Sequence, residues 1–349
     1  MNSFGIEPVP RVLYIPELLR RIFELSTNEA NIAHAAVCKT WSEEATSVVW
    51  RNVSTDRLFS LLAPLTAPNG GIAENHSFAR EIDEDDWDRF DRYSHKVRVL
   101  RFNREYDPSV FKEIALGRRR LDFLPNLVSL YNAQPTLLFA YSTIKHLIFT
   151  EGMFCDDKII AWLGIIERRM CYIEQLWIEA YNHELLSDVQ TAFTSALKRM
   201  KRLKELGIPT EFLNDSNFHI LPSIPSLQRL NCDCPYWSHP RDNFSARSLS
   251  EFPTDPFRSL REFAVHLPFK TAMIYIPTLN GFQMLRVLKI TSGADESFDD
   301  YIILLDVISL HCPKLKTLKL AMDNLPAGSA VTARMTHYAC RLRNMLRSF

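Results

Sequence analysis

One six-residue phrase, apolar-x-x-apolar-x-apolar, returns along most of this 349-residue chain. It reads Val97-x-x-Leu100-x-Phe102, Ile144-x-x-Leu147-x-Phe149, Ile173-x-x-Leu176-x-Ile178 and Leu203-x-x-Leu206-x-Ile208. It continues as Leu227-x-x-Leu230-x-Cys232, Leu260-x-x-Phe263-x-Val265, Leu285-x-x-Leu288-x-Ile290 and Leu315-x-x-Leu318-x-Leu320, with a shortened copy at Leu127 and Leu130. The last two apolar positions of each phrase stand two apart, the period of a strand with one buried face. Between phrases the spacing turns helical, as in Ile159, Leu163 and Ile166 or Tyr301, Leu304, Leu305 and Ile308. Phrases starting at 144, 173, 203, 227, 260, 285 and 315 are 29, 30, 24, 33, 25 and 30 residues apart. An α/β chain built from one repeated strand–helix unit follows. A doubly wound sheet would also alternate strand and helix, but has no reason to repeat the same phrase.

The ends of the chain are patterned differently. Near the N-terminus Pro16 suits a first helical position, and Leu18, Leu19, Ile22 and Phe23 recur at helical spacing. Thr40-Trp41-Ser42-Glu43 fits a capping box for a helix carrying Ala45, Val48 and Val49. Three short helices bury little surface alone, so their apolar side chains must meet a larger domain or a partner as well. Leu58, Leu61 and Leu62 suggest a connecting helix, closed by Pro64, Pro68 and Gly70-Gly71. The acidic run from Glu81 to Asp88 reads as an exposed loop or a solvated helix end. At the other end Arg334, Arg341, Arg343 and Arg347, with Met335, Leu342, Met345 and Leu346, predict a basic helix that closes the last repeat.

Two resemblances give these patterns a meaning. The repeated phrase resembles the leucine-rich repeat, and His311-Cys312-Pro313-Lys314-Leu315 through Leu320 is similar to the cysteine-proline repeats that follow F-boxes. Pro16-Glu17-Leu18-Leu19, then Val37-Cys38-Lys39-Thr40-Trp41, then Trp50-Arg51 resemble, in that order, the F-box of fungal F-box proteins. Together they imply a three-helix F-box over 1–55, a connecting segment over 56–95, a leucine-rich-repeat solenoid over 96–322 and a cap over 323–349. The solenoid would be a horseshoe with a parallel concave sheet. The family role would be substrate recognition in an SCF-type ubiquitin ligase: the F-box binds a Skp-family adaptor, and through it a cullin scaffold, while the repeats bind a protein substrate. No catalysis is implied. The competing reading is a leucine-rich-repeat scaffold whose N-terminal helices only cap it.

The F-box resemblance assigns adaptor contacts to Pro16, Leu18, Leu19, Ile22, Val37, Cys38 and Trp41, with Trp50 either at the contact or in the module's own core. In the repeats, residues between the buried positions face the concave side. That places Trp177, Glu179, Glu205, Arg229, Lys289 and Lys319 on the candidate substrate surface, running from acidic to basic.

Composition narrows the remaining classes. Lys plus Arg and Asp plus Glu number 41 each, so net charge gives no argument for nucleic acid or an anionic membrane. Seven cysteines, without a framework spacing, a secretory signal or a membrane-spanning apolar run, point to reduced thiols in cytoplasm or nucleus. No P-loop, no G-x-S-x-G elbow and no H-E-x-x-H is present, and neither a cofactor nor an enzymatic role is expected. Cys232, Cys234 and His239 lie close together but lack the second pair that a closed zinc site needs.

Overall fold

The computed structural model describes residues 13, 15–67, 75–141, 143–149, 156–178, 187–209, 212, 220–232, 257–278, 280–292, 296–322 and 331–334. The chain divides into two compact units, 1–134 and 135–349.

The first unit opens with three helices, α1 (Pro16–Glu24), α2 (Asn28–His34) and α3 (Lys39–Val49). Pro16 stands in the first turn of α1, and the Thr27 hydroxyl caps α2 by accepting from the Ala30 amide. The capping box expected at Thr40 and Glu43 does not form. Cys38, extended at φ −161°, is the N-cap of α3 and makes no side-chain cap bond. Thr40 is already inside the first turn, where it cannot take the extended conformation a capping residue needs.

Strand β1 (Asn52–Ser54) and helix α4 (Thr55–Phe59) follow, then the antiparallel pair β2 (Leu65–Thr66) and β3 (Ser77–Phe78). Next come α5 (Glu84–Ser94), β4 (Val99–Arg101), α6 (Pro108–Gly117) and β5 (Ser129–Tyr131). Strands β1, β4 and β5 are parallel, with Val53, Leu100 and Leu130 buried in one register row. The first repeat-like strand is therefore β1, inside the segment 1–55 and not beyond 95. Three strand residues next to a helix end give too short a pattern to separate from the helix before them.

The acidic run is less exposed than its composition suggests. Asp83 caps α5 and forms a reciprocal box with Asp86. Asp86 is only 1% exposed, with Arg80 donating to both carboxylate oxygens at 2.5 and 2.9 Å and Arg89 also bonded to it. Acids collect here because a helix N-terminus favours negative charge.

The second unit comprises β6 (His146–Phe149), α7 (Asp156–Arg169), β7 (Gln175–Ile178), α8 (Ser187–Arg199), β8 (Glu205–Gly207), β9 (Arg229–Cys232) and β10 (Glu262–His266). Helix α9 (Phe269–Thr278), β11 (Val287–Ser292), α10 (Phe298–His311), β12 (Thr317–Met322) and β13 (Val331–Arg334) complete it. From β6 to β12 the strands are parallel neighbours in chain order. Chain order is what stacked repeats produce; a doubly wound sheet reverses direction at a switch point. One register row runs Leu147, Leu176, Leu206, Leu230, Phe263, Leu288, Leu318, all buried. Helices cover that face: the Phe149 ring lies 5.8 Å from Trp162 of α7, and Phe193 of α8 meets Phe212 at 4.9 Å.

Of the segment 323–349, Val331–Arg334 are described, and they form a strand antiparallel to β12, not a helix. The exposed edge of β12 offers unpaired backbone groups that a strand satisfies and a helix does not. Met335, Arg341, Leu342, Arg343, Met345, Leu346 and Arg347 lie outside the described residues. Among the described residues no helix is long and apolar enough to cross a membrane.

Candidate binding surfaces

Helix α1 carries two apolar stripes. Leu19 and Phe23 point inward and are fully buried with Ala45, and Leu13, Ala35, Trp41 and Val48 pack around them. Phe23 meets Trp41 edge-on at 5.5 Å and stacks on His34 at 5.2 Å. The Trp41 indole donates to the Leu13 carbonyl at 3.3 Å, and the Asn31 amide donates to the Phe23 carbonyl at 2.8 Å. This small core is complete without the second stripe.

That second stripe, Ile15, Leu18, Ile22 and Leu25, is left outside at 43%, 43%, 41% and 77% exposure, and Ile32 and Val37 are 59% and 61% exposed. Six large apolar side chains in solvent within 23 residues depart from an ordinary surface, where such residues are scattered singly. Pro16 and Cys38 are also exposed. Of the expected adaptor contacts, then, Pro16, Leu18, Ile22, Val37 and Cys38 are available. Leu19 is not, because it is buried with Phe23 against Ala45 of α3. Trp41 is half-buried in the same core. Trp50 is buried, stacked on Tyr93 at 4.4 Å under the Arg57 guanidinium, so it serves the module's interior. Ile15, Leu25 and Ile32 went unseen. Ile15 and Leu25 were readable, since they extend Leu18 and Ile22 at spacings of three.

In the second unit, the face of strands β6 to β12 opposite the helices has another character. Trp177 of β7 is half-buried and in register with Gly207 of β8. Its indole lies on the glycine: a Cβ at 207 would be 2.4 Å from the ring. Beside it, Glu205 accepts from Arg229 at 3.0 Å, Arg229 reaches Glu262 at 3.1 Å, and Lys289 approaches Glu262 at 3.8 Å. The expected drift from acidic to basic is thus an alternating ladder of ion pairs over β8 to β11, because strands in register set these side chains side by side. Lys319 is exposed and in register with Lys289; Glu179 lies outside the described residues. Gly207 was missed, although a glycine inside a strand phrase signals close approach. On β10 the same face closes over, for Ala264 and His266 are buried.

Neither a protein-family model nor a curated protein matches the chain. Among solved structures, a chain of the yeast Rad7 and Elc1 complex is similar at TM-score 0.35 and 12% identity, over 87% of this chain and 75% of that one. No function transfers at that level of similarity.

A cavity of about 350 Å³ in the second unit is lined by Pro135, Thr136, Leu137, Ala161, Ile165, Arg168 and Arg169, with no carboxylate, histidine or cysteine among them. Burial pushes the Cys312 thiol up to about 12, which leaves it a protonated core group and not a nucleophile. Cys232 is buried in β9, while Cys234 and His239 lie outside the described residues. Among the described residues no three His, Cys, Asp or Glu side chains gather as metal ligands.

Proposed function

We propose that this chain is an F-box-type substrate receptor. In this reading its N-terminal helices dock on a Skp-family adaptor, which joins it to a cullin scaffold of an SCF-type ubiquitin ligase. The repeat sheet then holds a protein substrate, and the chain itself catalyses nothing. One observation carries the reading: a helical module whose own core is closed still leaves the stripe Ile15, Leu18, Ile22 and Leu25 in water. Full burial of an exposed side chain of this kind is worth about 1.5–3 kcal/mol, and covering what the four leave in water gives a fraction of that at each, which together is a drive toward a partner. It sits on the residues through which the chain resembles an F-box. On the sheet, Trp177 held flat on Gly207 beside Glu205 and Arg229 is the proposed substrate anchor, as buried tryptophans dominate many interfaces.

A second reading keeps the repeats as an interaction scaffold without a ligase. What favours it is β1, built directly on β4 just after α3, as expected of helices that merely cap a sheet. Co-purification of the full chain with a Skp-family adaptor separates the two. Capture supports the receptor, whereas a folded chain that never captures the adaptor leaves the scaffold.

A further inference from the structure

In the second unit, the rim where strands β6 to β12 begin carries a charge that the balanced composition hides. The residue just before each strand is tied by its backbone N–H to the carbonyl of the equivalent residue one strand earlier. These bonds join Glu174 to Lys145, Lys204 to Glu174, Gln228 to Lys204, Arg261 to Gln228, Arg286 to Arg261 and Lys316 to Arg286, at 2.7–2.8 Å. Seven side chains are thereby locked in file, and five of them are basic. The one acid is spent within the file: Glu174 bonds Lys145 at 3.1 Å and Lys204 at 2.6 Å, and these bonds hold its carboxyl below the usual range.

Beyond Lys204, among the described residues, no acid pairs with the bases of the file. Arg261, Arg286 and Lys316 are exposed on three successive strands. Arg258 and Lys314 are exposed in the turns leading to them. The leading segments 200–204, 225–228, 257–261, 284–286 and 312–316 contain no Asp or Glu, and the acids that open the next strands, Glu205 and Glu262, are paired with Arg229 and Lys289 on the sheet face. Helix dipoles favour bases at helix C-termini, but they do not account for this end of the file. Helix α9 has no base in its last turn, and Arg286 follows a 3-10 turn.

We propose that this rim, from Lys204 to Lys316, binds an acidic, extended protein segment. Four strand spacings of about 4.8 Å make roughly 19 Å, the span of about six extended residues. Two of the unpaired bases are arginines, whose planar forks take carboxylates in paired hydrogen bonds. A nucleic acid fits less well. Sequence-tolerant single-strand binding uses aromatic platforms as well as charge, and the described rim residues of β10 to β12 include no exposed aromatic. The rim stands independently of the adaptor reading.

The test uses the full chain, a fluorescent octapeptide of alternating Glu and Asp, the Gln and Asn counterpart, and an oligothymidylate of eight nucleotides. The acidic peptide should bind at low salt, the neutral one should not, and added salt should weaken the complex. Arg261→Glu with Arg286→Glu and Lys316→Glu should weaken acidic-peptide binding at least about tenfold. Circular dichroism and adaptor capture should stay unchanged; if the reversal disturbs the fold, the same three positions changed to Gln replace it. Equal binding by wild type and variant, no binding of the acidic peptide at low salt, or tighter binding of the oligonucleotide overturns the proposal.

Discussion

Leu18 and Ile22 of α1 leave about two-fifths of their surface in water, while across the open face of strands β8 to β11 Glu205, Arg229, Glu262 and Lys289 hold one another. Among the described residues the helical stripe has no internal partner, and it gains by being covered. The sheet ladder is satisfied as it stands, and exposed ion pairs contribute little to stability in either state. A partner on the stripe would be held by apolar area, and a partner on the sheet must be selected by shape and by exchange of charge partners. The first surface suits a constant partner, the second a chosen one.

Core truncation gives the largest expected effects and shows where each surface ends. Leu288→Ala, in the buried row of the second unit, should destabilise by about 2–5 kcal/mol in urea unfolding. Leu19→Ala should cost a similar amount in the N-terminal module, because Leu19 is buried and not part of the stripe. If Leu19→Ala left stability intact, the division of α1 into two stripes would be wrong.

Gly207→Ala sharpens the sheet side. The new Cβ meets the Trp177 indole, and overpacking of this kind costs about 1–3 kcal/mol. Trp177→Ala in the same chain should recover most of that loss, so the double mutant should melt close to Trp177→Ala alone. Strictly additive losses would mean that the ring does not rest on the glycine.

A smaller effect is a pH dependence. The Arg80 guanidinium hydrogen-bonded to Asp86 holds that carboxyl well below the usual carboxylate range. A depressed folded value means that the stabilisation is full above the ordinary Asp value near pH 4 and is lost as pH falls below it. Asp86→Asn should lower the melting temperature at pH 7 and flatten the acid limb of a melting-temperature profile. An unchanged acid limb would show that another carboxylate controls it.

How much of this was legible follows from what each pattern encodes. Leu147, Leu176, Leu206, Leu230, Leu288 and Leu318 announced neighbouring strands because a two-residue period and a repeat length are properties of sequence alone. Trp177 on Gly207, and Glu262 between Arg229 and Lys289, depend on register between strands about 30 residues apart, which no local window contains. In α1 the sequence shows Leu18, Leu19, Ile22 and Phe23 as one apolar face. Only the position of α3, which presents Ala45 to Leu19 and Phe23, divides them into a buried and an exposed pair. Asp86 looked like part of a solvated run because the arginines that enclose it lie six residues before it and three after it.

The most direct test of the receptor reading is calorimetric titration of a purified Skp-family adaptor into the full chain and into Leu18→Asp combined with Ile22→Asp. Both positions are exposed, so stability should change by about 0.5 kcal/mol or less per site. The account predicts tight binding to the wild type and a loss of at least about 2–4 kcal/mol in the double variant, as for anchors at an interface centre. A wild type that does not bind, or a folded double variant that binds as tightly, would contradict it.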